Sequence, residues 1–398
     1  MKLKRLLETM LEMLVRRHRL LGGACLLALA FCASGLGAAA TLTSSVGGSI
    51  SGAVFEPSAV SFISPAKGWV LGRAGCSDCA SLRVTKDDGR HWAALPSPRV
   101  PLWYYNASSG AVSDVTFANP TDGYLFAPAL LSTHDGGRSW RRQSLPPVWQ
   151  LGVGAGYAFA LTRAGTDRRV ALWRSPIGQD RWSRLPLLSA AVLPSSLTVS
   201  SVGLAVEGAL VVLLQPGFNG PSAARPRDMV GRLWASSDSG TSWRSRAVPC
   251  TAVDGGAALF AIALHHPREW LIDCFDNEQS SQAQNTQHHL YRSADAGESW
   301  TRVSDPTRHN DPALLADNGA GHTLLATVGG GGDTLVGSFD AGRRWRQLLR
   351  SGGSFFGWAD LRFLTPKIGF VVGPTHYAPE HLYRTDNGGR SWRILRTG

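Results

Sequence analysis

Charged residues are scarce in this chain of 398 residues. Asp, Glu, Lys and Arg make up only 17% of it, whereas hydrophobic residues make up 43%. A chain that stays disordered has the opposite balance, so this composition excludes wholesale disorder. The formal net charge is +11, but no basic cluster is interleaved with a nucleic-acid-binding motif. We therefore expect no nucleic acid partner. The excess of positive charge favours anionic lipids, glycans or proteins as partners, or it reflects a solvated, Arg-rich surface.

The first 40 residues differ in composition from the rest of the chain. Residues 1–19 are basic and partly amphipathic, and residues 20–40 are apolar or small and carry no charge. This order predicts an N-terminal apolar helix that is either a cleaved export signal or a single membrane anchor. Residues 41–398 would then form a domain outside the cytoplasm, secreted or held at the membrane through residues 20–40.

Cysteine is also scarce, with six residues in all. Cys25 and Cys32 lie in the apolar run, without a convincing lipidation motif. Four cysteines remain after it, and an even number in an exported chain predicts disulfides. The Cys-Ser-Asp-Cys segment at 76–79 could also be a redox pair or half of a zinc site. No second C-x-x-C is present to complete a four-thiolate zinc centre, so we predict no metal and no cofactor.

An eight-residue motif, Ser/Thr-x-Asp-x-Gly-x-x-Trp, recurs along the chain at intervals of roughly 50 residues. We call it the tryptophan turn. Its hydroxyl and carboxylate groups can accept hydrogen bonds from the backbone of a tight turn, its Gly allows positive φ, and its Trp begins the next strand. Copies of the motif contain Asp87 and Trp92, Asp135 and Trp140, Asp238 and Trp243, Asp295 and Trp300, Asp340 and Trp345, and Asn387 and Trp392. A seventh copy, ending at Trp182, has lost both the Asp and the Gly, and we expect a looser turn there.

A second signature precedes several of these turns. It reads V-S-F before G-W at 60–69, V-T-F before G-Y at 115–124, and L-R-F before G-F at 361–370. Each is a hairpin of two short strands. Two hairpins per repeat predict a four-stranded antiparallel blade. The expected fold is therefore an all-β, seven-bladed, monomeric β-propeller, with the N-terminal apolar helix attached.

These motifs resemble known repeat proteins. The tryptophan turn is similar to the Asp box of bacterial neuraminidase (sialidase) repeats. Its combination with V-x-F and Gly-aromatic resembles the photosystem II stability/assembly factor-like propellers over most of residues 60–392. The resemblance implies a propeller that binds or assembles other molecules. Fold alone does not carry function.

Catalysis is the alternative to binding, and a purely structural envelope module is a third option. Sialidases have an Arg-Ile-Pro segment early in the propeller, and this chain has none. Other Asp-box propellers are glycoside hydrolases that use a carboxylate pair, for which Asp114 and Asp360 are candidates because each precedes an innermost strand. Such a pair must lie about 5–9.5 Å apart. The alternative for both residues is a turn or solvent-facing position.

Strand alternation places all tryptophan turns on one face of the propeller and the long connections on the other. We call these the turn face and the loop face. Aromatic residues in the connections predict a protein- or glycan-binding surface on the loop face, unless they pack inside the fold. The candidates are Trp103, Tyr104, Tyr105, Trp149, Phe355, Phe356 and Trp358. The same geometry predicts the disulfides Cys76–Cys79 and Cys250–Cys274. The pairs His265–His266 and His288–His289 lack further ligands at metal-binding spacing.

Overall fold

The structure is a computed structural model. The residues that it describes are 54–76, 79–103, 110–164, 169–185, 203–215, 232–250, 258–276, 287–303, 314–318, 323–327, 334–350, 358–373 and 381–398. The chain divides into two units, residues 1–49 and residues 50–398. The predicted leader lies outside the described residues. Within them, no helix is long and apolar enough to cross a membrane.

Four-stranded antiparallel sheets make up the described residues, and every sheet uses four strands that are consecutive in the chain. The first sheet contains β1 (Glu56–Phe62), β2 (Gly68–Arg73), β3 (Ala80–Thr85) and β4 (Ala93–Ala94). The second contains β5 (Asp114–Phe117), β6 (Gly123–Phe126), β7 (Leu131–Thr133) and β8 (Arg141–Arg142). The third contains β9 (Val148–Gly154), β10 (Tyr157–Ala164), β11 (Arg169–Pro176) and β12 (Ser183–Arg184).

The remaining sheets follow the same order. The fourth contains β13 (Gly203–Glu207), β14 (Leu210–Gln215), β15 (Arg232–Ser236) and β16 (Arg244–Arg246). The fifth contains β17 (Ala258–His266), β18 (Glu269–Asp276), β19 (Gln287–Ser293) and β20 (Thr301–Arg302). The sixth contains β21 (Leu314–Asp317), β22 (Thr323–Thr327), β23 (Thr334–Ser338) and β24 (Arg346–Arg350). The seventh contains β25 (Asp360–Phe363), β26 (Gly369–Gly373), β27 (His381–Thr385) and β28 (Arg393–Leu395).

The sheets stand around an axis, because the first strand of each sheet contacts the first strand of the next. Second strands are buried on both faces, as in β26, where all five residues are buried. Such strands read as continuous apolar runs. Outer strands are short and exposed, as in the Arg141–Arg142 pair of β8. Charged side chains at such edges oppose pairing with other chains. This arrangement confirms the all-β propeller.

The tryptophan turns have a common hydrogen-bond pattern. In the second sheet, Gly137 donates its N–H to Thr133 Oγ1 at 3.0 Å, and Thr133 Oγ1 donates to Asp135 Oδ1 at 2.8 Å. Asp135 Oδ1 also accepts the N–H groups of Arg138 and Ser139. Asn387 accepts in the same way in the seventh sheet, where Ser391 donates its N–H at 3.0 Å. The turn thus satisfies its own backbone.

The predicted fold class needs correction in one respect. Six sheets, rather than seven, close on a tryptophan turn. In the third sheet Ser175 Oγ instead accepts the N–H of Arg181, six residues on, because Ile177 and Gln179 stand where the Asp and Gly would be. The tryptophan turn therefore occurs in six sheets, and the third sheet has a turn of a different kind. In addition, all elements of the described residues are strands, and the predicted N-terminal helix falls outside them.

The phenylalanine of each V-x-F-type signature packs on a glycine of its own sheet, and two of the three also stack on an aromatic ring of another sheet. Phe117 pairs in register with Gly123, where an added Cβ would lie 2.5 Å from the ring. The ring of Phe117 also stacks on Trp69 of the first sheet, with centroids 3.6 Å apart. Phe62 of the first sheet stacks in the same way on Phe370 of the seventh, at 4.0 Å. The same type of ring stacking therefore joins the first sheet to the second and the first sheet to the seventh.

Ring closure involves side chains rather than a shared sheet. The first and seventh sheets are each complete within their own stretch of chain. Between them lies an apolar layer that includes Phe55, Val60, Val372 and Leu395. Arg384, only 3% exposed, forms an ion pair with Asp88 across the same junction.

Candidate functional site

The loop face carries a pair of tryptophans contributed by two segments that are distant in sequence. Trp103 follows the buried Leu102 in the connection between the first two sheets, and Trp149 follows the buried Val148 at the start of β9. Their ring centroids lie 5.4 Å apart in an edge-to-face arrangement. Trp149 is 38% exposed, one of the few large hydrophobic side chains in the described residues with that much exposure. We call these two residues the tryptophan pair.

The backbone around the tryptophan pair is held in place. Trp103 donates its N–H to Val112 O at 2.7 Å, and Val148 donates its N–H to Pro128 O at 2.8 Å. Ala80 donates to Val100 O at 3.2 Å, and Cys79 forms a β-bridge with Pro101. The Cys76–Cys79 disulfide therefore lies beside the segment that carries Trp103. A rigid backbone reduces the entropy that an aromatic contact loses when it binds.

The other predicted aromatic residues do not join this pair in the described structure. Trp358 is only 6% exposed, and its ring packs directly on Gly373 and beside Tyr383. Its assignment to a binding surface is wrong: the residue belongs to the apolar layer between the sixth and seventh sheets. Tyr104, Tyr105, Phe355 and Phe356 lie outside the described residues.

The second feature of the loop face is an ion-pair cluster at the axis. Asp114 begins β5 and Asp360 begins β25, so both lie where first strands start. Arg362 contacts both: its Nε and Nη2 lie 2.8 and 2.7 Å from the two oxygens of Asp360, and Nη2 lies 3.6 Å from Asp114 Oδ1. Val60 of the intervening first sheet donates its N–H to Asp360 Oδ2 at 3.1 Å. The cluster thus ties three sheets together.

The two carboxylates of this cluster differ in solvent exposure and in how many hydrogen bonds they accept. Asp360 is buried, and both of its oxygens accept hydrogen bonds. Desolvation, together with the charge of Asp360, raises the pKa of Asp114 to about 6, although Arg362 and the Val115 N–H oppose the shift. About a third of the Asp114 side chain is nevertheless accessible. Asp114, with this pKa, can hold a proton near neutral pH. Asp360, in contrast, is held by its hydrogen bonds to Arg362 and Val60.

Sequence reasoning missed Arg362, although a signal was present. In Asp-Leu-Arg-Phe, Asp360 and Arg362 are two residues apart on a strand and therefore point to the same side. It also missed His134, which bridges Asp122 of its own sheet and Asp180 of the third sheet, at 2.7 and 3.2 Å. Partial burial lowers the pKa of His134, but its hydrogen bonds to these carboxylates outweigh that effect, so its pKa is raised.

The second disulfide joins Cys250 to Cys274, both buried, with Cα atoms 5.5 Å apart. It ties the strand β18 to the chain that follows the fourth sheet. The described residues contain no group of three or more His, Cys, Asp or Glu side chains that could hold a metal ion.

Comparison with solved structures gives matches along most of the chain. YCF48 bound to a D1 peptide matches with a TM-score of 0.52 and 20% identity, over 84% of this chain and 94% of that one. The GH74 xyloglucanase of Xanthomonas campestris matches with a TM-score of 0.57 and 15% identity, over 87% of this chain and 55% of that one. These likenesses are of fold. No protein-family model and no curated protein matches the chain.

A third propeller also matches over most of the chain. The β-propeller domain of the trilobed protease from Pyrococcus furiosus matches with a TM-score of 0.55 and 8% identity, over 86% of this chain and 95% of that one, and it is described as having an open velcro topology. Among the described residues of the present chain, every sheet is formed by four consecutive strands.

Proposed function

We propose that the protein is a non-catalytic binding propeller that recognises a protein segment at its loop face, with the tryptophan pair as the contact. The observation that carries the proposal is the exposed ring of Trp149, fixed against Trp103 on a hydrogen-bonded backbone. Tryptophan is enriched where proteins bind one another, because one rigid side chain covers a large area. YCF48, whose fold is similar, has been solved with a D1 peptide.

The resemblance to photosystem II stability/assembly factor-like propellers, with their Asp boxes, supports the same class of function. In the second sheet, Thr133 Oγ1 and Asp135 Oδ1 accept N–H groups of their own turn, which supports the resemblance. We place the site of action outside the cytoplasm, in a secreted or membrane-anchored protein. Two disulfides support this placement, since they persist in oxidising compartments.

The test is an array of overlapping peptides from envelope and membrane proteins, printed beside a glycan array. We expect the purified protein to bind peptides, and we expect Trp149→Ala to weaken that binding by about tenfold, the typical effect of losing a central aromatic contact. Ile394→Ala is the matched control, because Ile394 is 48% exposed on the outer strand β28. Binding that survives in Trp149→Ala, or glycan binding without peptide binding, would contradict the proposal.

Glycoside hydrolysis is a second candidate, favoured by one observation. The raised pKa of Asp114, about 6, is a property of general acids in glycosidases. The second carboxylate of the catalytic pair would be Asp360. Incubation with polysaccharides, followed by product analysis, separates the two functions. Cleavage that disappears in Asp114→Asn would identify an enzyme, whereas uncut chains in the wild type would exclude this candidate for the polysaccharides tested.

A further inference from the structure

A groove of about 500 Å³ lies on the turn side of the propeller, away from the tryptophan pair. It is formed by the tryptophan turn of the sixth sheet, the start of β24 and the turn of the seventh sheet. The side chains that define it are Phe339, Asp340, Arg344, Trp345, Arg346 and Arg390. We call it the arginine groove. Its volume is in the range of pockets that hold small ligands.

Two of the three guanidinium groups are held against one aromatic ring. Arg346 Cζ lies 4.5 Å and Arg390 Cζ lies 5.0 Å from the centroid of Phe339. Cation–π contacts of this kind fix the position of a guanidinium without using its hydrogen-bond donors. Two like charges beside one ring repel each other, and an anion between them would remove that cost.

The acidic residue in the groove is already engaged. Asp340 Oδ1 accepts the hydroxyl of Ser338 and the N–H groups of Arg343 and Arg344 within its own turn. The N–H donors, together with the hydroxyl of Ser338 and the charge of Arg344, hold the pKa of Asp340 below its usual range. The lining therefore carries three positive charges and one negative charge. Among the described residues, Arg346 and Arg390 contact the Phe339 ring and no carboxylate.

An equivalent groove between the fourth and fifth sheets is less positive. It measures about 300 Å³, and its residues include Ser242, Arg244 and Arg246. Glu298 of the neighbouring turn forms an ion pair with Arg246 at 2.9 Å. Ser242 stands at the turn position of Arg344, and Glu298 stands at the position of Arg390. The fold thus accepts Ser and Glu at the two positions that make the arginine groove positive.

We propose that the arginine groove binds a tetrahedral oxyanion carried by a small molecule, that is, a sulfate or phosphate ester. Guanidinium groups pair with such oxyanions through two parallel hydrogen bonds, and groups from several directions match their several oxygens. Trp345 supplies an apolar wall for the carbon skeleton that bears the ester. This site is separate from the loop face, so the proposal of oxyanion binding does not depend on the proposed protein binding.

The experiment is a ligand-observed NMR titration of the full chain at constant ionic strength. The probes are glucose 6-sulfate and glucose 6-phosphate, which distinguish the two sources of the ester, with glucuronate as the carboxylate and glucose as the uncharged reference. We expect saturable binding of one or both esters. Arg390→Glu and Arg344→Ser should each weaken it, the former by about tenfold or more, since a charge-assisted hydrogen bond is lost.

The matched control is Arg138→Glu, the same substitution at the same turn position in the second sheet, outside the groove. It should leave the dissociation constant within about twofold, because separated exposed charges are screened by salt. The proposal is overturned if Arg390→Glu binds as the wild type does. It is also overturned if Arg138→Glu weakens binding equally, or if glucuronate binds as tightly as the esters.

Discussion

At the scale of single residues, glycines on second strands allow the sheets to pack. Gly68, Gly123 and Gly369 each lie under a phenylalanine ring of the preceding strand. The spacing of Phe and Gly in the sequence made each hairpin predictable. The stacking of Phe117 on Trp69 of another sheet was not, because it depends on how two sheets are placed relative to each other.

A methyl group at Gly123 should therefore be costly. An added Cβ would lie 2.5 Å from atoms of the Phe117 ring, which is itself held by Trp69. We expect Gly123→Ala to lower the free energy of unfolding by about 1–3 kcal/mol, the usual cost of overpacking. Denaturant titration measures it. Adding Phe117→Leu should recover part of the loss; if the double variant is simply additive, steric conflict is not the cause.

His134 should make stability depend on pH. Its pKa is raised in the folded protein by Asp122 and Asp180, despite partial burial. The stabilisation is therefore complete below the pKa of the unfolded state, near 6.5, and is lost as pH rises through the higher folded-state pKa. We expect melting temperature to fall over this range in the wild type and to change less in His134→Gln. An equal fall in both proteins would refute the assignment.

At the scale of elements, the hydroxyl and carboxylate hydrogen bonds of the tryptophan turn were predictable because they are local. The looser copy at Trp182 was also expected from the loss of Asp and Gly, and Ser175 indeed bonds differently there. What the sequence did not show is that Asp180 of this copy accepts hydrogen bonds from Ser132 and Gln143 of the neighbouring sheet. Contacts between elements depend on tertiary placement.

The hydroxyl of each turn should matter more than its exposed carboxylate. Thr133 is 2% exposed and accepts the buried N–H of Gly137. Thr133→Ala leaves that N–H without a partner, and we expect a loss of about 1–3 kcal/mol in unfolding free energy. Thr133→Ser keeps the oxygen and should cost clearly less. Chemical denaturation of the two variants compares them; equal losses would mean that the methyl group, and not the bond, is important.

At the scale of the whole molecule, the ring is closed by packing and charge. Arg384 is buried at the junction of the first and seventh sheets, where it pairs with Asp88 and Asp386 and donates to Pro65 O. This closure could not be read from the sequence, since residues about 300 positions apart meet there. The predicted binding role of Trp358 was wrong for the same reason, because its burial depends on a neighbouring sheet.

Removing Arg384 should open this junction before others. Arg384→Ala leaves Asp88 without its buried partner, and we expect a loss of about 3–5 kcal/mol in unfolding free energy. Hydrogen exchange should show lost protection in β1 and β28 first, with β14 and β18 retained. Protection that falls uniformly over all the sheets would show that the junction is not a separate weak point.

In the part of the chain that the structure describes, the first and last sheets share no strand, and this has a consequence for connectivity. Phe55 and Leu395 lie in one apolar layer, and Arg83 donates a hydrogen bond to Thr397 O, so the two ends of the described domain are neighbours. Every sheet is complete within its own stretch of chain. A circular permutant that links residue 398 to residue 54 and starts at any connection between sheets should therefore fold, with its order of sheets rotated and its surfaces unchanged.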